Sequence, residues 1–122
     1  MATTALNGTN FESTVASGIV FVDWWAPWCG PCRAFGPIFE KTAAANTDVV
    51  FAKVNTEDEP DLGSKFGIQA IPTLMVFRDG ILLFEQPGEL PGVLLQELVD
   101  KVRALDMDKV RAEMVPKVAA AS

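Results

Sequence analysis

Apolar and polar positions along the chain change period several times, and each change marks a predicted element. Residues 18–25, Gly-Ile-Val-Phe-Val-Asp-Trp-Trp, form a nearly unbroken apolar, β-prone run, as in a strand covered on both faces. Ala26-Pro27-Trp28 breaks it. From Pro31 onward Phe35, Ile38, Phe39 and Thr42 recur at helical spacing, which predicts a helix ending near Asn46. Pro31 suits the first turn of that helix, where a missing N–H costs nothing, whereas Pro37 lies inside it and should kink it. Upstream, Thr9-x-x-Glu12 reads as a capping box opening a helix to about Ser17, with room for a short first strand near residues 3–6. Downstream, Val49–Asn55 is a strand, and Glu59-Pro60 starts a short helix that Gly67 ends. Thr73–Arg78 and Ile81–Gln86 are strands joined by the hairpin dipeptide Asp79-Gly80. Pro91 opens a last main helix with an apolar stripe of Leu95, Leu98, Val99 and Val102. The order β-α-β-α-β-β-α predicts an α/β fold, a mixed sheet between helices.

Composition narrows this picture. The chain has 122 residues, 49% of them apolar and 21% charged, which fits one domain with a single core. Its apolar runs fall far short of the ~20 residues that a membrane helix needs. The N-terminus has neither a basic flank nor an apolar core of roughly 7–15 residues, so the expected compartment is the cytoplasm. Ten basic against sixteen acidic residues give a net charge of −6, which argues against nonspecific binding to nucleic acid or anionic lipid. The chain has no histidine, so chemistry resting on imidazole is excluded.

Both cysteines fall in one tetrapeptide, Cys29-Gly30-Pro31-Cys32. As a structural staple, a four-residue loop contributes only ~2 kcal/mol in the chain-entropy model, and a domain of this size needs none. Structural zinc asks for four ligands, where here there is one cysteine pair and no histidine, so no metal site is expected. The position of the pair favours reactivity. Cys29 lies at the junction of strand and helix, where unpaired N–H groups and the positive end of the helix dipole stabilise a thiolate. Arg33 adds a positive charge, and Cys32, one turn deeper, is placed to attack the same sulfur.

Asp23 interrupts the apolar strand. One reading is a strand-end aspartate that reaches solvent or a backbone donor. The other is a buried carboxyl, its pKa raised by desolvation, that exchanges a proton with the thiol of Cys32.

The run from Val22 to Cys32, Val-Asp-Trp-Trp-Ala-Pro-Trp-Cys-Gly-Pro-Cys, closely resembles the active-site segment of thioredoxins. Ala52-Lys53-Val54-Asn55, Ala70-Ile71-Pro72-Thr73 and Gly88 match further family pieces in the expected order, and the resemblance covers roughly residues 10–104. It implies a thioredoxin fold over 1–104, a mixed central sheet flanked by helices on both faces, followed by a C-terminal helical extension over 105–122. It also implies a protein-disulfide reductase in which Cys29 is the nucleophile and Cys32 the resolving thiol, joined as a redox-active disulfide when oxidised. Asp23 would handle the proton, with Lys53 beside it. Trp28, Gly30, Pro31, Ile71, Pro72 and Gly88 would form the substrate surface. For Trp28 the competing reading is plain core, and for Pro72 a proline that merely opens a strand. No bound cofactor is implied. Electrons would come from NADPH through a separate flavoprotein, thioredoxin reductase, to a monomer that acts on disulfide-containing proteins. The Gly-Pro dipeptide matches reducing members; oxidases and isomerases of this fold commonly carry a histidine there. A thioredoxin-like interaction subunit with an incidental dithiol is the alternative from another class. In the extension, Asp106 is expected to cap a helix carrying Met107, Val110 and Met114 up to Pro116, with Ala119–Ser122 frayed.

Overall fold

Alternation along one strand divides the core in two. In the computed structural model, which describes residues 2–113, the run Ile19–Trp25 forms β2 and is buried along almost its whole length. Before it lie a two-residue strand β1 (Thr4–Ala5) and helix α1 (Phe11–Val15); after it come α2 (Gly30–Ala45), β3 (Val50–Asn55), α3 (Pro60–Lys65), β4 (Thr73–Arg78), β5 (Ile81–Pro87) and α4 (Gly92–Ala104). The sheet order is β1-β3-β2-β4-β5. β3 runs parallel to both β1 and β2, whereas β4 is antiparallel to β2 and to β5. Val20, Val22 and Trp24 of β2 pack with Phe11 and Val15 of α1 and Leu62 of α3. Phe21, on the opposite side of the pleat, packs with Phe35 and Phe39 of α2 and with Leu95, Val99 and Val102 of α4. The mixed sheet is thus flanked by two helices on each face.

The breaks follow local chemistry. Gly67, with φ +65°, ends α3 in a Schellman motif: its own N–H donates to the Ser64 carbonyl at 3.1 Å, and the Ile68 N–H donates to the Gly63 carbonyl at 2.9 Å. Asp79 (φ +53°) and Gly80 (φ +83°) form a two-residue turn between the paired residues Arg78 and Ile81, with both central φ values positive, as in type I′. Asp79 also ties this turn to the start of β2: its N–H donates to the Gly18 carbonyl at 2.9 Å, and its carboxylate accepts the Gly18 N–H at 3.1 Å.

The boundaries of α1 differ from expectation. The Thr9–Glu12 capping box does not form. Asn7 does that work: its side-chain oxygen accepts the N–H groups of Thr9 and Asn10 at 2.8 and 3.1 Å, and Glu12 pairs instead with Lys65 at 2.7 Å. α1 also ends at Val15 rather than near Ser17. Helix α2 passes Pro37 and continues to Ala45, held on the sheet by Phe35 and Phe39. Beyond α4, the Asp106 carboxylate accepts the N–H groups of Asp108 and Lys109 at 3.1 and 3.3 Å, capping helical turns over 107–113 in which Met107 is buried. The expected continuation through Met114 to Pro116, and the tail 119–122, lie outside the described residues.

Candidate active site

Cys29 is the N-cap of α2. Its extended backbone (φ −85°, ψ 115°) ends the loop, and its sulfur accepts the N–H of Cys32 at 3.2 Å. The helix begins here for two reasons: Pro31 in the first turn has its φ already set, and Phe35 and Phe39 bury the face that follows. Cys29 and Cys32 are joined as a disulfide. Both are nearly buried, and they pack with Ala26, Trp25 and Ile71 in a small cluster of their own. The sulfur of Cys29 lies 3.7 Å from the carbonyl oxygen of Ile71. The guanidinium of Arg33 donates to the Pro27 carbonyl at 3.0 Å, tying the helix to the loop that precedes the cysteines.

Beside this pair the surface opens into a groove lined by both apolar and polar side chains. Trp28, immediately before the nucleophile position, is 66% exposed, which overturns its reading as plain core. With Ile71 it lines a groove of about 310 Å³ that α3 completes with Pro60, Gly63 and Ser64, and Ile68 follows just beyond that helix. The Ile71–Pro72 bond is cis, and the Pro72 carbonyl accepts the N–H of Gly88 (φ +93°) at 2.7 Å. Pro72 also stands directly before β4, so it opens a strand as well as flanking the site. Gly30 and Pro31 are exposed on the helix start. The structure therefore brings together Cys29, Cys32, Trp28, Ile71 and Pro72, and joins Gly88 to them through Pro72. Thr56, Ser64, Ile68 and Gln69, which also line the groove, carry no motif; only the apolar Ile68 just after the helix-ending Gly67 hints at an exposed surface.

Asp23 is fully buried, and neither carboxylate oxygen has a hydrogen-bond partner among the described residues. That overturns the reading in which it reaches solvent or a backbone donor. Burial pushes its pKa up to about 7 from 3.8, with Lys53 pulling the other way. Lys53 stands directly opposite Asp23 in the parallel pairing of β2 and β3. By the two-residue period both side chains belong to the face that α2 covers, and a Cβ placed on Gly36 of α2 would lie 3.8 Å from the Lys53 ammonium. The same ammonium sits 4.8 Å from the centre of the Trp25 ring. Among the described residues no group of histidine, cysteine or carboxylate side chains has the arrangement to hold a metal ion.

A sulfur–sulfur bond that can open and close within one tetrapeptide, beside a groove accessible to other chains, makes this protein a dithiol–disulfide oxidoreductase. Comparison with known proteins narrows the class: the family model Thioredoxin matches residues 2–104, and the chain belongs to the thioredoxin family. It is 47% identical to putative thioredoxin 2 of Streptomyces coelicolor, over 98% of this chain and 90% of that one. It is 34% identical to thioredoxin of Bacillus subtilis, over 83% of this chain and 98% of the relative. Among solved structures it resembles the thioredoxin of Malassezia sympodialis with a TM-score of 0.70 and 31% identity, covering 80% of this chain and 89% of that one.

Proposed function

We propose that the protein reduces disulfides in other proteins, with Cys29 as nucleophile, Cys32 as resolving thiol and Asp23 as the proton acceptor for Cys32. In the reduced protein the Cys29 thiolate attacks one sulfur of a substrate disulfide. A mixed disulfide forms, and the other substrate sulfur leaves and takes a proton from solvent. Cys32 then passes its proton to the Asp23 carboxylate and attacks the Cys29 sulfur. The second substrate thiolate departs, and the Cys29–Cys32 bond holds the two electrons' worth of oxidation. Trp28, Ile71 and the backbone about Pro72 and Gly88 receive the substrate, with Gly30 and Pro31 at the rim. An NADPH-dependent flavoprotein, thioredoxin reductase, returns the protein to the dithiol form, in the cytoplasm, without a bound cofactor.

One observation carries this reading: the Cys29 sulfur accepts a helix N-terminal N–H, and Cys29 packs beside Ile71, which with the neighbouring Trp28 lines an open groove. Reduction of insulin disulfides, driven by NADPH and a purified flavoprotein reductase, tests it. Turnover should vanish in Cys29→Ser, and turnover retained in that variant rejects the assignment.

A further inference from the structure

Apart from the substrate groove the molecule has a second concavity, of about 480 Å³. Lys53 and Trp25 line it, β1 and the residues flanking it contribute Thr3, Ala5, Leu6 and Asn7, and three carboxylates stand around it: Glu40 from α2, with Asp58 and Glu59 from the loop before α3. Two of these acids are tied to the N-terminal segment. The Glu40 carboxylate accepts the hydroxyl of Thr3, and Glu59 accepts the Gly8 N–H at 3.1 Å. The Leu6 N–H donates to the Lys53 carbonyl at 2.9 Å, so the chain that anchors Glu40 is itself fixed to the strand bearing Lys53. Lys53 forms no ion pair or side-chain hydrogen bond among the described residues, although three acids share its cavity.

The charged groups about the Asp23–Lys53 pair are few. From β3, Asp23 faces Lys53; from α2, the thiol positions of Cys29 and Cys32 lie at the helix start and Glu40 further along; the loop before α3 adds Asp58 and Glu59 on the Lys53 side. Glu40 is the one with a direct structural lever. Gly36 and Glu40 are one turn apart on the same face of α2, and the Lys53 ammonium lies 3.8 Å from where a Cβ on Gly36 would stand.

We infer that Glu40 is a positioning residue for the proton step: Thr3 holds its carboxylate at β1, away from Lys53, and so leaves the lysine's charge directed at Asp23. Released from Thr3, Glu40 pairs with Lys53 and withdraws that charge from the buried carboxylate. The segment that leads into the first strand, far from the sulfurs in sequence, thereby sets the pH at which Asp23 accepts a proton. This inference rests on the proton role proposed above for Asp23, and its test separates the two.

The carboxyl carbon of Asp23 is titrated by NMR in the oxidised full-length protein. Thr3→Val should raise the Asp23 midpoint by roughly half a pH unit, the scale for a charge several ångströms away at partial burial. Thr3→Ser, which keeps the hydroxyl, should hold the wild-type value, and Glu40→Gln, which has no charge to set against Lys53, should cancel the Thr3→Val rise when the two are combined. In a Lys53→Met background the Thr3→Val shift should fall to less than half, because the effect passes through the lysine. An unmoved midpoint in Thr3→Val, a rise that persists when Glu40→Gln is added to it, or a Thr3→Val shift that survives loss of Lys53 would each overturn the inference. The pH profile of disulfide reduction is measured alongside. If Asp23→Asn keeps the wild-type profile while the titration shifts appear as stated, the proton role of Asp23 falls and the control by Glu40 stands.

Discussion

The backbone N–H of Cys32 points at the sulfur of Cys29 from 3.2 Å, so the amide that would steady the attacking thiolate belongs to the residue that later displaces it. The two substitutions should therefore fail differently. Serine at position 29 can accept the same N–H, so Cys29→Ser should keep the fold and form no covalent complex. Cys32→Ser should still attack and then stall, accumulating one mixed disulfide per chain with a disulfide-bearing peptide. Mass spectrometry under non-reducing conditions reads both outcomes.

Asp23 gives a pH signature whose sign follows from its raised pKa. Between the unfolded value near 3.8 and the folded value of about 7, the native chain holds a proton that the unfolded chain has lost. Stability of the wild-type protein should therefore fall as pH rises through that window and level off above it. Asp23→Asn removes the ionising group: it should show little advantage below pH 4 and exceed wild type by a few kcal/mol, to order of magnitude, at pH 8. Urea unfolding across pH checks this. Turnover at neutral pH should drop roughly tenfold to a hundredfold through loss of the base.

Trp28 is held by little of the core, and its exposed ring is placed for docking. Trp28→Ala should raise KM for a protein disulfide roughly five- to thirtyfold, in the range of an aromatic contact at the centre of an interface. Reduction of a small disulfide with no body to dock should change far less. The thermal midpoint should stay within a degree or two, on the order expected for a surface change.

The opposite end of the sheet carries a stabilising contact that the chemistry does not use. Arg78, at the end of β4, donates from Nη1 to the carbonyls of Val102 and Leu105 at 2.7 and 3.1 Å, closing the C-terminus of α4. Arg78→Ala should lower unfolding free energy by about 1–3 kcal/mol and leave disulfide reduction unchanged. Denaturant titration and the insulin assay, run together, decide it.

What could be read from the chain alone follows from how local each signal is. The run Ile19–Trp25, the turn Asp79-Gly80 and the stop at Gly67 are written in adjacent residues, and each stands where its pattern places it. The cap of α1 is not legible in the sequence because two local solutions compete, and the asparagines at 7 and 10 take up the local N–H groups in place of Thr9. The cysteine pair was legible from its motif and from its place between strand and helix. The groove was less so, because Trp28, Thr56, Ser64 and Ile71 come from four segments that meet only once the sheet is wound. The bond between Thr3 and Glu40 joins residues 37 apart in sequence and leaves no trace in any periodicity.

The outermost strands have a bearing on how copies of this chain meet each other. β1 is only two residues long, and β5 is interrupted where the pairing steps from Phe84 to Leu82, leaving Leu83 as an extra residue before the strand closes on Pro87. An incoming strand needs a straight, regular row of free amides and carbonyls, and neither border supplies one. The sheet therefore has little capacity to template polymerisation along its edges, even with close to half of its residues apolar.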